Sequence, residues 1–162
     1  DIAEILKSIG DVNLYKGDYK IALKKYEETY VILKKVYGNN VYNADIAGIL
    51  KGFADVYFNE SDSKKALENY EKSRDIYKII YAKNLNHPDI ARILKSIGDI
   101  NLFKGHYEKA LNNYTESYNI YKIVNADNLN HPDIAIILKK FGEFSLEIGD
   151  YKKAFDYYRE SY

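Results

Sequence analysis

Apolar residues near the start of the chain fall into two runs. Ile2, Ile5, Leu6, Ile9 and Leu14 are spaced as on one helix face; the pattern breaks at Gly17 and resumes at Tyr19, Ala22, Leu23, Tyr26, Tyr30, Leu33 and Tyr37. The other face of the second run carries Lys20, Lys24, Lys25, Glu27, Glu28, Lys34 and Lys35, an ordinary solvated surface. The spacing predicts helix A over roughly 2–16 and helix B over roughly 19–37, with boundaries good to about 2–4 residues.

The pattern is then repeated. DIA begins at Asp1, Asp45, Asp89 and Asp133, in DIAEILKSIGD, DIAGILKGFAD, DIARILKSIGD and DIAIILKKFGE, a constant offset of 44 residues. The octamer NLNHPDIA at 84–91 and again at 128–135 is the junction between repeats; the first junction, NNVYNAD at 39–45, has diverged. The expected organisation is one domain over 1–162, with repeats 1–44, 45–88, 89–132 and 133–162, the last cut short. Asp1 and Glu4 have capping-box spacing, and Pro88 and Pro132 sit where a first helical turn tolerates proline.

Small residues recur on both helices: Gly10, Ala54, Gly98 and Gly142 on A, and Ala22, Ala66, Ala110 and Ala154 on B. They would let the axes approach to about 8–10 Å. Tyr26, Tyr70, Tyr114 and Tyr158 recur one turn further on as large core plugs, and Gly17, Gly105 and Gly149 mark the A–B turn. Ser61 replaces the turn glycine in repeat two, which predicts a looser turn there. The pattern L-x-x-[IF]-[GA]-x-x-x-x-x-x-G-x-Y-x-x-A-x-x-x-Y resembles the tetratricopeptide repeat. The standard unit is 34 residues, and the longer helix B with an HPDIA-type entry into helix A looks like the kinesin light chain class. The resemblance covers the whole chain and implies an all-α, right-handed α-solenoid of stacked antiparallel helix pairs. One departure is polar residues where an aromatic usually stands on helix A: Asn13, Asn101 and Ser145, against Tyr57. Either they bond between neighbouring repeats or that surface is wetter than usual.

Composition narrows the function. At 162 residues and 46% hydrophobic, the chain can bury a core. Lys+Arg and Asp+Glu are both 24, which argues against a nucleic-acid binder, since that needs surplus cations to displace counterions. No apolar run approaches the ~18 residues of a membrane span. No signal peptide is visible, although a chain starting at Asp1 could have lost one. The lack of cysteine excludes disulfides and thiol chemistry and fits a cytoplasmic, intracellular setting. Lysine far outnumbers arginine, and Ile, Asn and Tyr are abundant; these residues have A/T-rich codons, so part of the tyrosine content reflects a low-GC genome.

Catalytic candidates are weak. The acids Asp11, Asp55, Asp99 and Glu143 should lie on the order of 10 Å apart in stacked repeats, against ~5 Å for a retaining glycosidase pair. Each follows a lysine by four residues (Lys7, Lys51, Lys95, Lys139), which reads as a charge-compensated row. His87, His131 and His106 read as turn and capping residues, with no metal. The sequons at Asn59 and Asn113 read as chance. No phosphate loop or nucleophile elbow is present, and no cofactor is implied.

Binding is the better reading. By resemblance, the A helices line a concave groove. Its residues would be Lys7, Asp11, Leu14 and Tyr15; Lys51, Asp55, Phe58 and Asn59; Lys95, Asp99, Leu102 and Phe103; and Lys139, Glu143, Leu146 and Glu147. Such a surface could hold an extended peptide, acidic or ending in a carboxylate, on lysines and apolar pockets. Equally, Lys and Asp could serve only each other, with the Leu/Phe row buried between helices. The family's carboxylate clamp pairs lysine with asparagine; aspartate stands there in this chain, so that function is not carried over.

The last helix B stops early, and Phe155, Tyr158 and Tyr162 are expected to lie exposed, available for end-to-end self-association. This predicts a piece of a longer array, natural or consensus-engineered. Three readings follow: a non-catalytic scaffold for a protein or peptide partner, with neither nucleic acid nor membrane; a structural or self-associating array with no dedicated ligand; or a regulatory region that folds back on its own chain.

Overall fold

The structure is a computed structural model describing residues 1–38 and 40–162; Asn39, first residue of the diverged junction, lies outside the described residues. Among the described residues there are eight α-helices and no strand: α1 (Ile2–Lys16), α2 (Tyr19–Tyr37), α3 (Ala44–Asn59), α4 (Ser63–Ile80), α5 (Pro88–Phe103), α6 (Tyr107–Val124), α7 (Pro132–Glu147) and α8 (Tyr151–Glu160). They form two compact units, Asp1–Ala82 and Lys83–Tyr162. In each unit the first two helices and the last two pair as hairpins, and the middle pair packs together. The fold is an all-α helical repeat.

Helix starts follow from the capping chemistry. Asp1 accepts the Ala3 N–H at 2.9 Å and caps α1. In the later repeats the helix begins earlier, because the junction supplies its own cap. Asn43, His87 and His131 accept the N–H of Asp45, Asp89 and Asp133 at 2.7, 3.3 and 3.2 Å. Pro88 and Pro132 then stand at the start of their helices, where no N–H is required. The DIA aspartates of these repeats therefore lie in the first turn, facing the positive end of the helix dipole. His106 begins α6 without a side-chain cap bond.

The A–B turns are alike in all four repeats. Gly17, Gly105 and Gly149 have φ of 82°, 70° and 78°. Ser61 adopts φ 65° and makes the same pair of closing bonds, Ser61 N–H to Phe58 C=O at 3.0 Å and Asp62 N–H to Tyr57 C=O at 2.8 Å. The expected looser turn is not found; serine accepts the left-handed conformation that glycine takes without steric cost.

The core of each hairpin is the helix B tyrosine. Tyr26 and Tyr114 are fully buried. An added Cβ at Gly10 would meet the Tyr26 ring at 2.5 Å, and one at Gly98 would meet the Tyr114 ring at 2.5 Å. The small helix A residue thus makes room for an aromatic ring. Ala22, Ala66, Ala110 and Ala154 are buried alongside. The middle contact of each unit is aromatic: Phe53 meets Tyr26 and Tyr30 edge-on, with centroids 6.0 and 6.2 Å apart, and Phe141 meets Tyr114 and Tyr118 at 6.2 and 5.8 Å. Helix B also reaches helix A through hydroxyls: Ser73 donates to the Ala47 carbonyl at 2.7 Å and Ser117 to that of Ala91 at 2.8 Å, both buried.

Of the two alternatives for the polar helix A positions, no bond between repeats is made by Asn13 or Asn101 among the described residues; their amides donate to the carbonyls of Ile9 and Ile97, one turn back on the same helix. One expectation needs correction. Phe155 and Tyr162 are exposed, but Tyr158 is half-buried, because its ring lies against Gly142.

Two variants test these contacts by urea denaturation. Gly98→Ala should lower stability by about 1–3 kcal/mol through overpacking against Tyr114; an unchanged midpoint would refute the ring-on-backbone contact. Ser61→Gly should raise stability by roughly 1 kcal/mol by relieving a left-handed non-glycine residue, and a loss would show that the serine side chain holds the turn.

Candidate functional site

The row of acids on the A helices is held from two sides. Lys7 Nζ lies 2.8 Å from Asp11 Oδ2, and Lys51 Nζ lies 2.6 Å from Asp55 Oδ2. The pair Lys95–Asp99 is at 3.2 Å and Lys139–Glu143 at 3.9 Å. Each pair is one helical turn apart, the spacing at which such side chains meet. The second hold comes from helix B. Tyr26 Oη donates to Asp11 Oδ1 at 2.8 Å, Tyr70 Oη donates to Asp55, and Tyr114 Oη donates to Asp99 Oδ1 at 2.8 Å. The core tyrosine therefore ends in the site: its ring packs the hairpin and its hydroxyl orients the carboxylate. Sequence reasoning treated these tyrosines only as core. The signal was available, since each lies fifteen residues after its acid.

This arrangement pushes the phenols up. Burial and then the bond to Asp11 raise Tyr26 well above the usual tyrosine value, and burial and then the Asp99 charge do the same for Tyr114. Tyr121, raised chiefly by burial and then by Asp133, is pushed up to about 12.

The two units differ at one further cation. In the second unit Lys140 Nζ stands between Asp99 Oδ1 at 3.1 Å and Glu143 Oε2 at 2.8 Å. Burial works against its charge, but Asp99 and Glu143 prevail and its pKa lies above the ordinary lysine value. Lys140 bridges both carboxylates, Asp99 keeps Lys95 as well, and Lys139 is loosely held, with a side chain 65% exposed.

The predicted apolar row divides. Leu14 and Leu102 pack against the cores of their units, and Phe58 is half-buried. Tyr15 and Phe103 point outward, 91% and 71% exposed, and Leu146, Asn59 and Glu147 are also exposed. The Asn59 amide is turned back to the Asp55 carbonyl at 2.7 Å. In the first unit Leu14, Tyr15, Tyr19, Asp55, Phe58 and Tyr70 help line an open cleft of about 490 Å³. The structure thus brings together five of the predicted residues, Leu14, Tyr15, Asp55, Phe58 and Asn59, at one end of α1 and α3. Among the described residues, no group of three or more His, Asp or Glu side chains could hold a metal ion, and no helix is long and apolar enough to cross a membrane.

Residues 45–123 match the tetratricopeptide repeat family model. A comparison with curated proteins gives no match. Among solved structures, the chain is similar to BtubC (BKLC) from P. vanneervenii, with 20% identity and TM-score 0.78 over 98% of this chain and 60% of that one. It is similar to a putative kinesin light chain with TPR-like repeats from Podosopora anserina, with 14% identity and TM-score 0.77 over 98% of this chain and 72% of that one. It also resembles the Rap conjugation gene regulator of plasmid pLS20, whose structure contains the Phr* peptide, with 20% identity and TM-score 0.76 over 94% of this chain and 40% of that one. At these identities the likeness is one of fold, and the chain spans less than two thirds of the length of BtubC and of the Rap regulator.

Tyr114→Phe should destabilise the protein at neutral pH by about 1.5–3 kcal/mol, the worth of a hydrogen bond to a charged acceptor. The raised tyrosine pKa values also set an alkaline limit. The folded chain keeps phenolic protons that the unfolded chain loses from about pH 10, so this stabilisation is complete below pH ~10 and fades as pH rises further; for Tyr121 it is lost on passing through about 12. Denaturation midpoints measured up this range should fall, and fall less steeply in Tyr114→Phe than in the parent.

Proposed function

We propose that the chain, an array of tetratricopeptide repeats, is a non-catalytic scaffold that holds a peptide or protein segment against the exposed face of its A helices. One observation carries this reading. In the second unit three ammonium groups, Lys95, Lys139 and Lys140, meet two carboxylates, Asp99 and Glu143. A surface whose lysines served only its own acids would balance. Here one cation is left over, on Lys139, the most exposed of the three lysines. Its complement is an acidic side chain or a terminal carboxylate. Phe103, 71% exposed on the same unit's helix A, offers the ligand an apolar contact. A solved relative in fold that carries a peptide, the Rap regulator, supports this class of ligand.

The energetics define the affinity. An exposed lysine–carboxylate pair contributes only about 0–1 kcal/mol, so binding rests on several contacts and on the apolar patch. It should weaken with salt, as the Debye length falls from ~10 Å at 0.1 M to ~3 Å at 1 M. Capped peptides with a central glutamate, glutamine or arginine flanked by leucines provide the test, read by calorimetry at low salt. The glutamate peptide should bind best to the parent, and Lys139→Ala should weaken it about three- to fivefold without moving the denaturation midpoint. Equal affinity for glutamate and glutamine peptides, or a stability loss in Lys139→Ala with no change in binding, would leave the lysine row a structural feature only. A low-salt pull-down with mass spectrometry would then identify the natural partner.

A further inference from the structure

One position of helix B is a tyrosine in two hairpins and a leucine in another. Offsets of 44 and 88 residues take Leu33 onto Tyr77 and Tyr121. All three are buried, but the leucine is shorter by most of a phenol. The surroundings of the tyrosines show where that phenol lies. An added Cβ at Gly48 of α3 would stand 3.9 Å from the Tyr77 hydroxyl. The charged groups that act on the Tyr121 hydroxyl are Asp133, Arg92 and Asp89. Helix B thus sends a ring toward the start of the A helices.

In the first hairpin the corresponding space is open. A pocket of about 470 Å³ is lined by Leu33 together with Asp1, Glu4 and Asp45. These correspond, 88 residues on, to Tyr121, Asp89, Arg92 and Asp133. The places that surround a phenol in one unit therefore surround a pocket in the other, and its volume is within the range of ligand sites. Buried Ala3 and Ile49 close it below with Leu33. A second feature marks the same spot. Ser73 and Ser117 tie helix B to the carbonyls of Ala47 and Ala91. Thr29, at the matching position, donates instead to the Lys25 carbonyl of its own helix at 2.8 Å, and both Thr29 and Ala3 line the pocket. Tyr37, one turn beyond Leu33, does not fill it: its hydroxyl donates to Asp45 Oδ2 at 2.6 Å, and it stands outside the pocket walls.

We propose that the first unit binds a tyrosine side chain of the peptide partner, with its ring on Ala3, Leu33 and Ile49 and its hydroxyl facing Glu4 and Asp45, in the place that Tyr121 fills in the second unit. The sequence supplies the ring itself in one unit and leaves it to the ligand in the other. A phenol suits the pocket better than a plain ring, because the rim offers carboxylates. Elsewhere in this chain Asp11, Asp55 and Asp99 each accept a hydrogen bond from a tyrosine. The inference rests on the peptide-scaffold reading above but concerns a separate pocket and an uncharged side chain.

The probes are capped Ala-Tyr-Ala and capped Ala-Phe-Ala, titrated into the isotope-labelled full chain and followed at each backbone amide by NMR, with p-cresol as the free side chain. The tyrosine peptide should shift the amides of Ala3 and Ile49 saturably. It should bind about tenfold more tightly than the phenylalanine peptide, as for a hydrogen bond to a charged acceptor. Leu33→Tyr fills the pocket from within; it should remove the response and leave the thermal midpoint level or raised. No saturable shift at Ile49 in the parent overturns the proposal, as does an undiminished response in folded Leu33→Tyr. A Leu33→Tyr chain that melts far earlier or does not fold overturns it too, since the space then cannot take the ring. Equal affinity for the two peptides overturns the phenol, and p-cresol binding without peptide binding overturns the peptide as its source. A glutamate-peptide response at Lys139 without the tyrosine response removes this inference alone, and silence of both peptides removes the scaffold reading as well.

Discussion

A tyrosine ring seated on the backbone of the neighbouring helix sets the spacing on which the rest depends. Tyr26 over Gly10 and Tyr114 over Gly98 bring each A–B pair together at distances where a single methyl group would collide. Burying an aromatic ring contributes more than burying an aliphatic side chain of similar reach, because of its area. The same seating presents an edge to Phe53 or Phe141 of the next A helix, so one residue closes the hairpin and also receives its neighbour within the unit. A phenol cannot be buried without a partner for its hydroxyl except at a cost of a few kcal/mol. The structure meets that demand with Asp11, Asp55 and Asp99, and the acids of the exposed face are thereby tied to the core.

This coupling explains why the charged row is ordered at all. Long lysine side chains on a solvated helix lose entropy when held in one geometry, and exposed pairs gain little for it. A carboxylate already fixed by a buried hydroxyl is a better partner, because half of the ordering has been done from below. Where that anchor is weaker, the pairing loosens: Glu143 has no such bond from half-buried Tyr158 among the described residues, and Lys139 stands off at 3.9 Å.

The helix pairs were legible in the sequence because apolar spacing recurs in all four repeats, supported by a turn glycine in three of them and a Pro at the helix start in two. The predicted A and B spans fall within about 2–4 residues of those found. What could not be read locally were contacts whose partners lie far along the chain. The bond from Ser73 to the Ala47 carbonyl spans 26 residues, and neither residue is unusual by itself. The Ser61 turn was misjudged for a different reason: a left-handed serine costs about a kcal/mol or two, which the rest of the hairpin readily outweighs. The candidate site was legible in its residue types but not in its balance. Pairing each acid with the lysine four before it predicts four equal pairs. Lys140, outside that pattern, is what makes the second unit unlike the first.

A repeat protein can vary a position freely only where the fold does not use it. The tyrosines, the buried alanines and the turns are needed in every hairpin, and they hardly change. The position of Gly52 and Lys140 is different. It lies on a helix A, at the edge of the tyrosine ring, where a glycine leaves the ring covered by backbone and a lysine runs past it to the carboxylates beyond. Both choices keep the hairpin intact, since Tyr26 and Tyr114 are equally buried. They differ only in the charge the finished face presents: balanced in the first unit, one cation in excess in the second. Change at such a position alters the charge that the surface presents while the helices beneath stay the same.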